Sequence, residues 1–186
     1  MSGNVRWMIA SDLHGDRVCT ERLLTRYGES GASRLILLGD LLYHGPRNDL
    51  PKGYDPKGVI ALLNGVKNEL LCVRGNCDTE VDQMVLDFPI LADYAFLNMD
   101  GLSVFATHGH HFNLSALPPL KKGDILLHGH THVPKAETFG ESNLYLNPGS
   151  VSIPKEGAPK SYLLYENRVF SFRRLDDGEE YMSYRL

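Results

Sequence analysis

Cysteine is scarce in this sequence of 186 residues, and positive charge is not in excess. The three cysteines, Cys19, Cys72 and Cys77, are an odd number at irregular spacing, so the sequence indicates no disulfide framework and favours a reducing compartment. The formal net charge is −4 at pH 7 and the basic residues are scattered. Long nucleic acid is therefore a disfavoured partner, because its binding needs a concentrated basic surface.

Long apolar runs are also missing. No segment approaches the roughly 20 apolar residues that span a bilayer, and residues 1–10 have no signal-peptide pattern. We therefore expect a cytoplasmic protein without membrane contact. Hydrophobic residues make up 42% of the chain, which is enough for a substantial core. Because no linker or internal repeat is visible, we expect one domain over residues 1–186.

The first half of the chain repeats one pattern, in which a short apolar run is followed by a polar loop and an amphipathic segment. The apolar runs are residues 7–10, 35–38 and 70–73. This order is typical of parallel strands joined by helices.

Three amphipathic stripes with helical spacing follow these runs, and we expect all of them to face the core. Asp16 and Asp55 are predicted N-caps, Gly28 is the predicted end of the first helix, and the third stripe follows Thr79. The stripes are Cys19, Leu23, Leu24 and Tyr27; Val59, Leu62, Leu63 and Val66; and Val81, Met84, Val85 and Phe88.

The pattern in the second half of the chain predicts a second sheet. Strand-like runs occupy residues 94–97, 102–106, 125–127, 144–146, 162–165 and 169–172, with predicted turns at Asp100-Gly101 and Glu166-Asn167. The acidic run at residues 176–180 is predicted to be a solvated turn. The whole pattern favours an α/β fold, a four-layer αββα sandwich of two packed mixed sheets with flanking helices.

Histidine is concentrated in one part of the chain. Six of the eight histidines lie within residues 107–132, and three His-x-His pairs occur, whereas random placement would give about 0.3 such pairs. Together with nearby carboxylates, such a cluster is a metal-site signature, because imidazole nitrogen and carboxylate oxygen both bind divalent ions.

The polar loops indicate where this metal site lies. Asp12 and His14 follow the first predicted strand, Asp40 the second, and Asn76 the third. Because ligands gather at the carboxyl ends of parallel strands, these residues are expected to converge there. Residues 107–110 and 129–132 can supply further nitrogens. An extended His130-Thr131-His132 would point both rings to one side, where a slight bend would let each ring meet a different ion. The glycines before Asp40, Asn76 and His130 suit tight turns.

The order Asp-x-His, Gly-Asp, Gly-Asn-x-Asp, His and Gly-His-x-His resembles the calcineurin-like metallophosphoesterase superfamily. The resemblance spans roughly residues 8–152. Two further segments, His44-Gly45-Pro46-Arg47-Asn48 and Asn147-Pro148-Gly149-Ser150-Val151, resemble the small bacterial YfcE-type phosphodiesterases.

The resemblance implies a metal-dependent hydrolase of small phosphodiesters that uses a hydroxide activated by two divalent ions. It implies that Asp40 bridges the ions and that Asp40, Asn76 and His108 are the catalytic residues. It favours manganese, with zinc, iron, nickel and cobalt as alternatives. Homo-oligomer formation is an expectation of the family only. The implied metal ligands are Asp12, His14, Asp40 and His132 for one ion, and Asp40, Asn76, His108 and His130 for the other.

Cys77 departs from the superfamily pattern, which commonly has His at this position to protonate the leaving group. A thiol with a pKa of about 8.5 is a poorer proton donor near pH 7 than an imidazolium. We therefore expect a preference for good leaving groups, and we expect Asp78 to support the site rather than donate a proton. The YfcE-type members share this cysteine.

Other residues near the site have two interpretations. His44, Arg47 and His110 either contact substrate, as Cys77 is expected to do, or are solvated loop residues, and His111 fits the second interpretation better. His128, Cys19 and Cys72 are expected to be structural.

Two other functions fit the same motifs. The chain could be a protein-binding scaffold on this fold, as in retromer-subunit relatives, although those resemble it with a degraded ligand set. It could also be another phosphoesterase, such as a phosphomonoesterase, nucleotidase, protein phosphatase or nuclease, because fold and metals do not separate these.

Overall fold

The structure is a computed structural model that describes residues 5–186. The first four residues of the predicted 1–186 domain therefore lie outside the described residues, and the single domain stays a prediction. The described strands are β1 (Arg6–Ala10), β2 (Arg34–Leu37), β3 (Leu70–Cys72), β4 (Tyr94–Met99), β5 (Leu102–Thr107), β6 (Ile125–Leu127), β7 (Lys135–Phe139), β8 (Asn143–Asn147), β9 (Ser161–Glu166), β10 (Val169–Arg174) and β11 (Glu180–Arg185). The helices are α1 (Arg17–Ser30), α2 (Pro56–Gly65), α3 (Glu80–Gln83) and a 3₁₀ turn at Lys67–Glu69.

The strands form two mixed sheets, as predicted. The first has six strands in the order β11-β10-β9-β1-β2-β3, and the second has five in the order β4-β5-β6-β8-β7. Each sheet contains three neighbouring parallel strands, β1 to β3 in the first sheet and β5, β6 and β8 in the second. The α/β class with two packed mixed sheets is therefore confirmed, whereas the layer predicted to be helical outside the second sheet contains no helix in the described residues 108–124.

The assignment of strands to sheets was partly wrong. The predicted strands at 162–165 and 169–172 belong to the first sheet, where β9 pairs antiparallel with β1 and Met8 lies opposite Leu164. The apolar runs show that these strands are buried, but they carry no information about which neighbour each one pairs with.

Two strands were not predicted, and one predicted turn is displaced. Edge strands β7 and β11 are rich in polar residues and largely half-buried or exposed, so they have no apolar run. Glu180 begins β11 instead of ending the predicted acidic turn, although Asp176 and Asp177 are exposed. The Asp100-Gly101 turn is confirmed by positive φ at both residues, whereas the second turn uses Asn167 and Arg168 rather than Glu166 and Asn167.

Helices α1 and α2 begin as predicted. The Asp16 carboxylate accepts a hydrogen bond from the Cys19 amide at 2.9 Å, and that of Asp55 accepts one from the Gly58 amide at 3.0 Å. The predicted end at Gly28 is wrong, because α1 continues to Ser30 and stops at Gly31, which has φ of 68°. A left-handed C-terminal glycine satisfies the last carbonyl groups without a Cβ clash.

The third helical stripe does not face the core. Thr79 caps α3 in a capping box with Asp82, but the helix is only four residues long. Val81 is 70% exposed and Met84 is 83% exposed, while Phe88 is buried. The prediction was wrong for this stripe because the helix ends at Gln83. Most of the stripe lies beyond the helix, so the helical spacing does not place its side chains on one face.

Three apolar layers hold the elements together. Side chains of α1 and α2, including Leu23 and Leu63, pack on the outer face of the first sheet. A second layer, which includes Ile9 and Val104, fills the space between the sheets. The outer face of the second sheet is covered by residues 108–124, which contain no helix. Among residues 5–186, every helix is too short or too polar to cross a membrane.

Candidate metal centre

The parallel strands of both sheets direct their carboxyl ends to one place, and the seven predicted ligands meet there. The loops after β1, β2 and β3 bring Asp12, His14, Asp40 and Asn76, and the loops after β5 and β6 bring His108, His130 and His132. Residues far apart in the chain are in contact, since His14 Nε2 lies 3.3 Å from His132 Nε2. The predicted site at the strand ends is therefore present as a cluster of side chains.

Backbone carbonyl groups fix the orientation of three of these histidines. The Nδ1 atoms of His14, His132 and His108 lie 2.8, 2.7 and 2.6 Å from the carbonyl oxygens of Tyr43, Ile153 and Leu38. Because a carbonyl oxygen only accepts, each Nδ1 must carry the proton. In the neutral ring, each Nε2 therefore presents a lone pair to the centre, which is the arrangement found in metal-binding histidines.

The first group of acceptors surrounds Asp12. Its Oδ1 atom is buried and makes no hydrogen bond to a described residue, yet it lies 3.2 Å from His132 Nε2 and 3.5 Å from His14 Nε2. Three lone-pair donors thus face one another without a proton between them when both rings are neutral. A divalent cation fits such a buried set, because it would satisfy all three atoms.

The second group surrounds His108. Its Nε2 atom lies 3.1 Å from Asn76 Oδ1, 3.1 Å from His130 Nδ1 and 3.5 Å from Asp40 Oδ2. The amide nitrogen of Asn76 donates to Cys77 Sγ at 3.2 Å, which turns its oxygen toward the centre. These nitrogen and oxygen atoms also suit a borderline divalent ion.

Asp40 lies between the two groups. Its Oδ1 atom accepts a hydrogen bond from the Cys77 amide at 2.8 Å. Its Oδ2 atom is 3.6 Å from His14 Nε2 and 3.5 Å from His108 Nε2. One oxygen is thus fixed by the backbone, and the other faces both groups.

The centre has a strong preference for positive charge. Burial acts to raise the pKa values of Asp12 and Asp40, but the neighbouring histidines outweigh it and hold both pKa values below the ordinary range. Burial acts to lower the pKa of His108, yet Asp40 and Asp12 raise it to about 9. The same field would favour a bound cation.

Five of the seven predicted ligands have left-handed backbone, a conformation that non-glycine residues rarely adopt. The φ angles are 60° for Asp12, 47° for His14, 57° for Asp40, 67° for His130 and 62° for His132. The predicted extended conformation of residues 130–132 is therefore wrong. The two rings nevertheless reach different groups, as predicted, because His130 meets His108 and His132 meets His14. Backbone strain of this kind is typical of functional sites.

Two glycines are needed because the backbone approaches the ligands closely. A Cβ atom at Gly75 would overlap the backbone nitrogen and the carboxylate of Asp40. At Gly129, it would overlap Ser11 Oγ and come within 2.8 Å of Asp12 Oδ2. Neither glycine has positive φ, but each begins a tight turn, as predicted, because the Asp78 amide donates to the Gly75 carbonyl and the Thr131 amide donates to that of Gly129.

The carboxylate of Asp78 supports the loops after β2 and β3. It is buried and accepts hydrogen bonds from the amides of Asp40 (2.8 Å), Leu41 (2.9 Å) and Gly75 (2.8 Å). Burial is the main cause that raises its pKa to about 6. With both oxygens occupied by backbone amides, Asp78 has the supporting position that the sequence predicted.

The end of β8 and the segment after it support the loops of Asp12 and Gly129, a role that sequence reasoning missed. Ser150 and Ser152 donate to the carbonyl oxygen of Asp12 at 2.9 and 2.8 Å, and Asn147 donates to that of Gly129 at 2.8 Å. The segment was noticed only for its resemblance to relatives. The hydrogen-bond partners of its buried hydroxyl and amide groups are distant in the sequence, so residue spacing could not predict them.

A cavity of about 420 Å³ opens onto the centre. Arg47 and Cys77 line it, together with Asn48 and Lys155, which were not among the predicted site residues. His44 and His110 are not among its lining residues. The ring of His44 lies 4.8 Å from that of Tyr43 and 5.3 Å from that of Tyr54.

Two histidines beside the centre pack against other rings. The ring of His110 contacts that of exposed His111, with centroids 4.0 Å apart and a tilt of 43° between the ring planes. His128 is buried against Tyr145 at 4.5 Å, which agrees with its predicted structural position. Cys19 and Cys72 are buried in the apolar layer outside the first sheet, also as predicted.

Cys77 is buried beside the centre. Burial, followed by the charge of Asp40, raises the pKa of its thiol above the ordinary value, so the thiol is a weak acid at neutral pH. Its sulfur, a histidine nitrogen of His14 and a carboxylate oxygen of Asp40 all lie within 4.8 Å of one another. The sulfur is thus close enough to touch an ion or a group bound at the centre.

Comparison with known proteins gives a consistent result. The family model described as the calcineurin-like phosphoesterase superfamily domain matches residues 5–168. Phosphodiesterase YfcE of Escherichia coli (strain K12) is 50% identical over 173 residues, which cover 93% of this chain and 94% of that protein. The solved structure of the E. coli phosphoesterase Yfce has a TM-score of 0.93 at 48% identity, covering 96% of this chain and 98% of that one.

More distant structures share the fold. Vps29 of Entamoeba histolytica, solved in complex with zinc, has a TM-score of 0.56 at 17% identity and covers 97% of this chain and 98% of that one. Identity this low supports a common architecture and no more.

Proposed function

The chain belongs to the calcineurin-like phosphoesterase superfamily, and from this premise we propose that it is a metal-dependent phosphodiesterase that hydrolyses small phosphodiesters. The relative at 50% identity is a phosphodiesterase. The observation that carries the proposal is the position of Asp40 Oδ2, within 3.6 Å of one acceptor group and 3.5 Å of the other. A carboxylate in this position suits a bridge between two ions.

We assign one ion to Asp12, His14, Asp40 and His132, and a second to Asp40, Asn76, His108 and His130. The two acceptor groups support this division. When bound, two divalent ions activate water as the nucleophile and neutralise charge on the attacked phosphate. Manganese is the proposed metal, with zinc, iron, nickel and cobalt as the alternatives that nitrogen and oxygen ligands allow.

The chain's own residues bind and orient the substrate. Arg47 and Lys155 line the cavity above the centre and are placed to contact phosphate oxygens. Asp40, Asn76 and His108 are the proposed catalytic residues, because they hold the reacting centre in place. His44 and His110 remain proposed substrate contacts. They would contact parts of the substrate that extend beyond the cavity.

Leaving-group protonation is weak in this proposal. Cys77 is the lining residue at the position where relatives of the superfamily commonly have histidine, and its thiol has a raised pKa. A weak acid gives little help to a poor leaving group. Diesters with activated leaving groups are therefore the preferred substrates.

Four predictions from the sequence remain proposals of the same kind. We propose a cytoplasmic location, a single domain over residues 1–186, no binding of long nucleic acid, and assembly into a homo-oligomer. The net charge of −4 supports the third of these.

The test is hydrolysis of bis(4-nitrophenyl) phosphate by metal-stripped protein, before and after addition of manganese. We expect activity only after addition, and lower activity on 4-nitrophenyl phosphate. Faster hydrolysis of the monoester would favour a phosphomonoesterase or nucleotidase. Absence of turnover with two ions bound would favour a protein-binding scaffold.

A further inference from the structure

A second cavity adjoins the one above the metal centre. It has a volume of about 530 Å³, and it shares Arg47, Asn48 and Lys155 with the first cavity. The two spaces therefore form one groove, which leads away from the centre between the loop of residues 47–52 and the loop of residues 152–155. A cavity of this size accepts an organic group as large as a nucleotide.

The groove carries an excess of positive charge. Its second cavity is lined by Arg47, Lys52, Lys155 and Lys160, against the carboxylates of Asp16 and Asp49. Four cations thus face two carboxylates. A surface of this composition attracts an anion rather than a neutral group.

Three of these cations are not neutralised by the protein. Most arginine and lysine side chains in the described part of the chain form ion pairs, but Arg47, Lys52 and Lys155 have no described carboxylate within 4.0 Å. All three are exposed at the groove. Their charges are therefore available to a ligand.

The remaining charges have partners. Lys160 donates to Cys19 Sγ at 2.9 Å and lies 3.9 Å from Asp16. Asp16 is buried and caps α1, so its carboxylate interacts mainly with groups inside the protein. Asp49 is the exposed carboxylate of the groove.

The second cavity also has apolar lining residues. Leu50, Pro51, Ile153 and Pro154 line the same cavity, and Leu50 is 60% exposed. An exposed leucine beside unpaired lysines suits a ligand that has both an organic body and an anionic group.

We infer that this groove binds the non-leaving arm of the substrate, and that the arm carries a second phosphate group. This inference rests on the proposed phosphodiesterase function and narrows its substrate class. The reacting phosphate lies at the metal centre, Arg47 and Lys155 lie at the junction of the two cavities, and Lys52 contacts the second phosphate. The organic part of the arm packs on Leu50 and Ile153.

Two probes test the inference, because they differ only in the second phosphate. Both are 4-nitrophenyl esters of thymidine 5′-phosphate, one with a free 3′-hydroxyl group and one with a 3′-phosphate, and both release 4-nitrophenol. We measure kcat/KM for each with manganese present and take the ratio. The wild-type protein is expected to prefer the 3′-phosphorylated ester by about fivefold, and the preference should fall as salt is added.

Variants assign the preference to the groove. Lys52→Gln should lower the ratio about threefold to fivefold, Lys52→Arg should restore it, and Asp49→Asn should raise it. Lys121→Gln is the matched control, because Lys121 is also exposed and without a described carboxylate within 4.0 Å but lines neither cavity. The control should leave the ratio unchanged.

The outcomes separate this inference from the proposed function. Hydrolysis of both esters at equal rates, with a ratio that Lys52→Gln and Asp49→Asn do not change, would overturn the inference and leave the phosphodiesterase intact. No manganese-dependent hydrolysis of either ester or of bis(4-nitrophenyl) phosphate would overturn the proposed function, and the inference with it.

Discussion

At the scale of single residues, Asp40 has two different oxygens. Oδ1 is occupied by the Cys77 amide, while Oδ2 faces His14 and His108. Asp40→Asn keeps the shape but removes the charge, and its amide would place a donor or a weaker ligand between the two groups. We expect manganese content, measured by mass spectrometry, to fall at both positions, and diesterase activity to fall by more than the roughly hundredfold that loss of an outer-layer partner costs.

Asp93→Asn is the control for this variant, because Asp93 is exposed and is not one of the clustered ligands. It should keep both ions and full activity. An Asp40→Asn protein with normal activity, or one that loses a single ion, would refute the bridging role.

The raised pKa of the Cys77 thiol leads to a prediction about leaving groups. Because the thiol donates protons poorly, Cys77→Ala should change kcat for bis(4-nitrophenyl) phosphate by less than about threefold. Steady-state kinetics with manganese in excess measures this. A fall of about a thousandfold on this activated ester would contradict the prediction and show that the sulfur is needed, either in the reaction or to orient Asn76.

Residue identity in the centre was predictable, but residue conformation was not. The predicted ligands follow strand ends in a fixed order, so the motifs alone predicted that Asp12, Asp40 and His108 would lie together. Left-handed φ at Asp12 and His132 depends on the loops packed around them, and spacing does not encode it. Lys155 also escaped prediction, since no motif surrounds it and only the folded loops bring it to the cavity.

At the scale of elements, the two glycines near the end of α1 have opposite functions. Gly28 lies inside the helix, and a Cβ atom there would meet nothing within 4 Å. Gly31 has φ of 68° and ends the helix. Gly28→Ala should therefore raise the free energy of unfolding by about 0.5–1 kcal/mol, and Gly31→Ala should lower it by about 1 kcal/mol.

Urea unfolding of the two variants beside the wild type measures both changes, and each variant is the control for the other. Equal effects of the same sign would contradict the boundary at Gly31. Sequence reasoning chose Gly28 because glycine often ends helices, but the choice between nearby glycines depends on backbone conformation.

Short or polar elements were the hardest to predict. Val81, Met84 and Val85 have helical spacing, yet the helix there ends after four residues and leaves these side chains exposed. Strand β7 was missed because an edge strand can be polar on both faces. Hydrophobic periodicity therefore identifies a helix or strand only when one of its faces is buried.

At the scale of the whole molecule, the two-sheet sandwich was predictable from the sequence, but the assignment of each strand to a sheet was not. Strands β9 and β10 were recognised as strands but return to the first sheet. Strand β9 pairs with β1, and β10 pairs with β9, so the last strands extend the sheet that the first strand began. Such long-range pairing depends on which edge of the sheet is open, a property of the assembled fold rather than of any segment.

The candidate metal centre lies between the two sheets, and this position predicts how bound ions would affect stability. Asp12, His14, Asp40 and Asn76 come from the first sheet and His108, His130 and His132 from the second, so ions bound there hold the folded state together. Manganese at a hundred times its dissociation constant should add about 2.7 kcal/mol to the free energy of unfolding. For a chain of this size, that corresponds to a rise in Tm of about 5–10 °C.

Calorimetry of metal-stripped protein with and without manganese measures this rise. Asp40→Asn should lose most of it, because the variant weakens both acceptor groups at once, whereas Asp93→Asn should keep it. The same increase in Tm for Asp40→Asn and the wild type would mean that the stabilising ions bind elsewhere. A loss confined to Asp40→Asn would instead place the stabilising ions at the junction of the sheets, since Asp40 is the residue through which the two acceptor groups are connected.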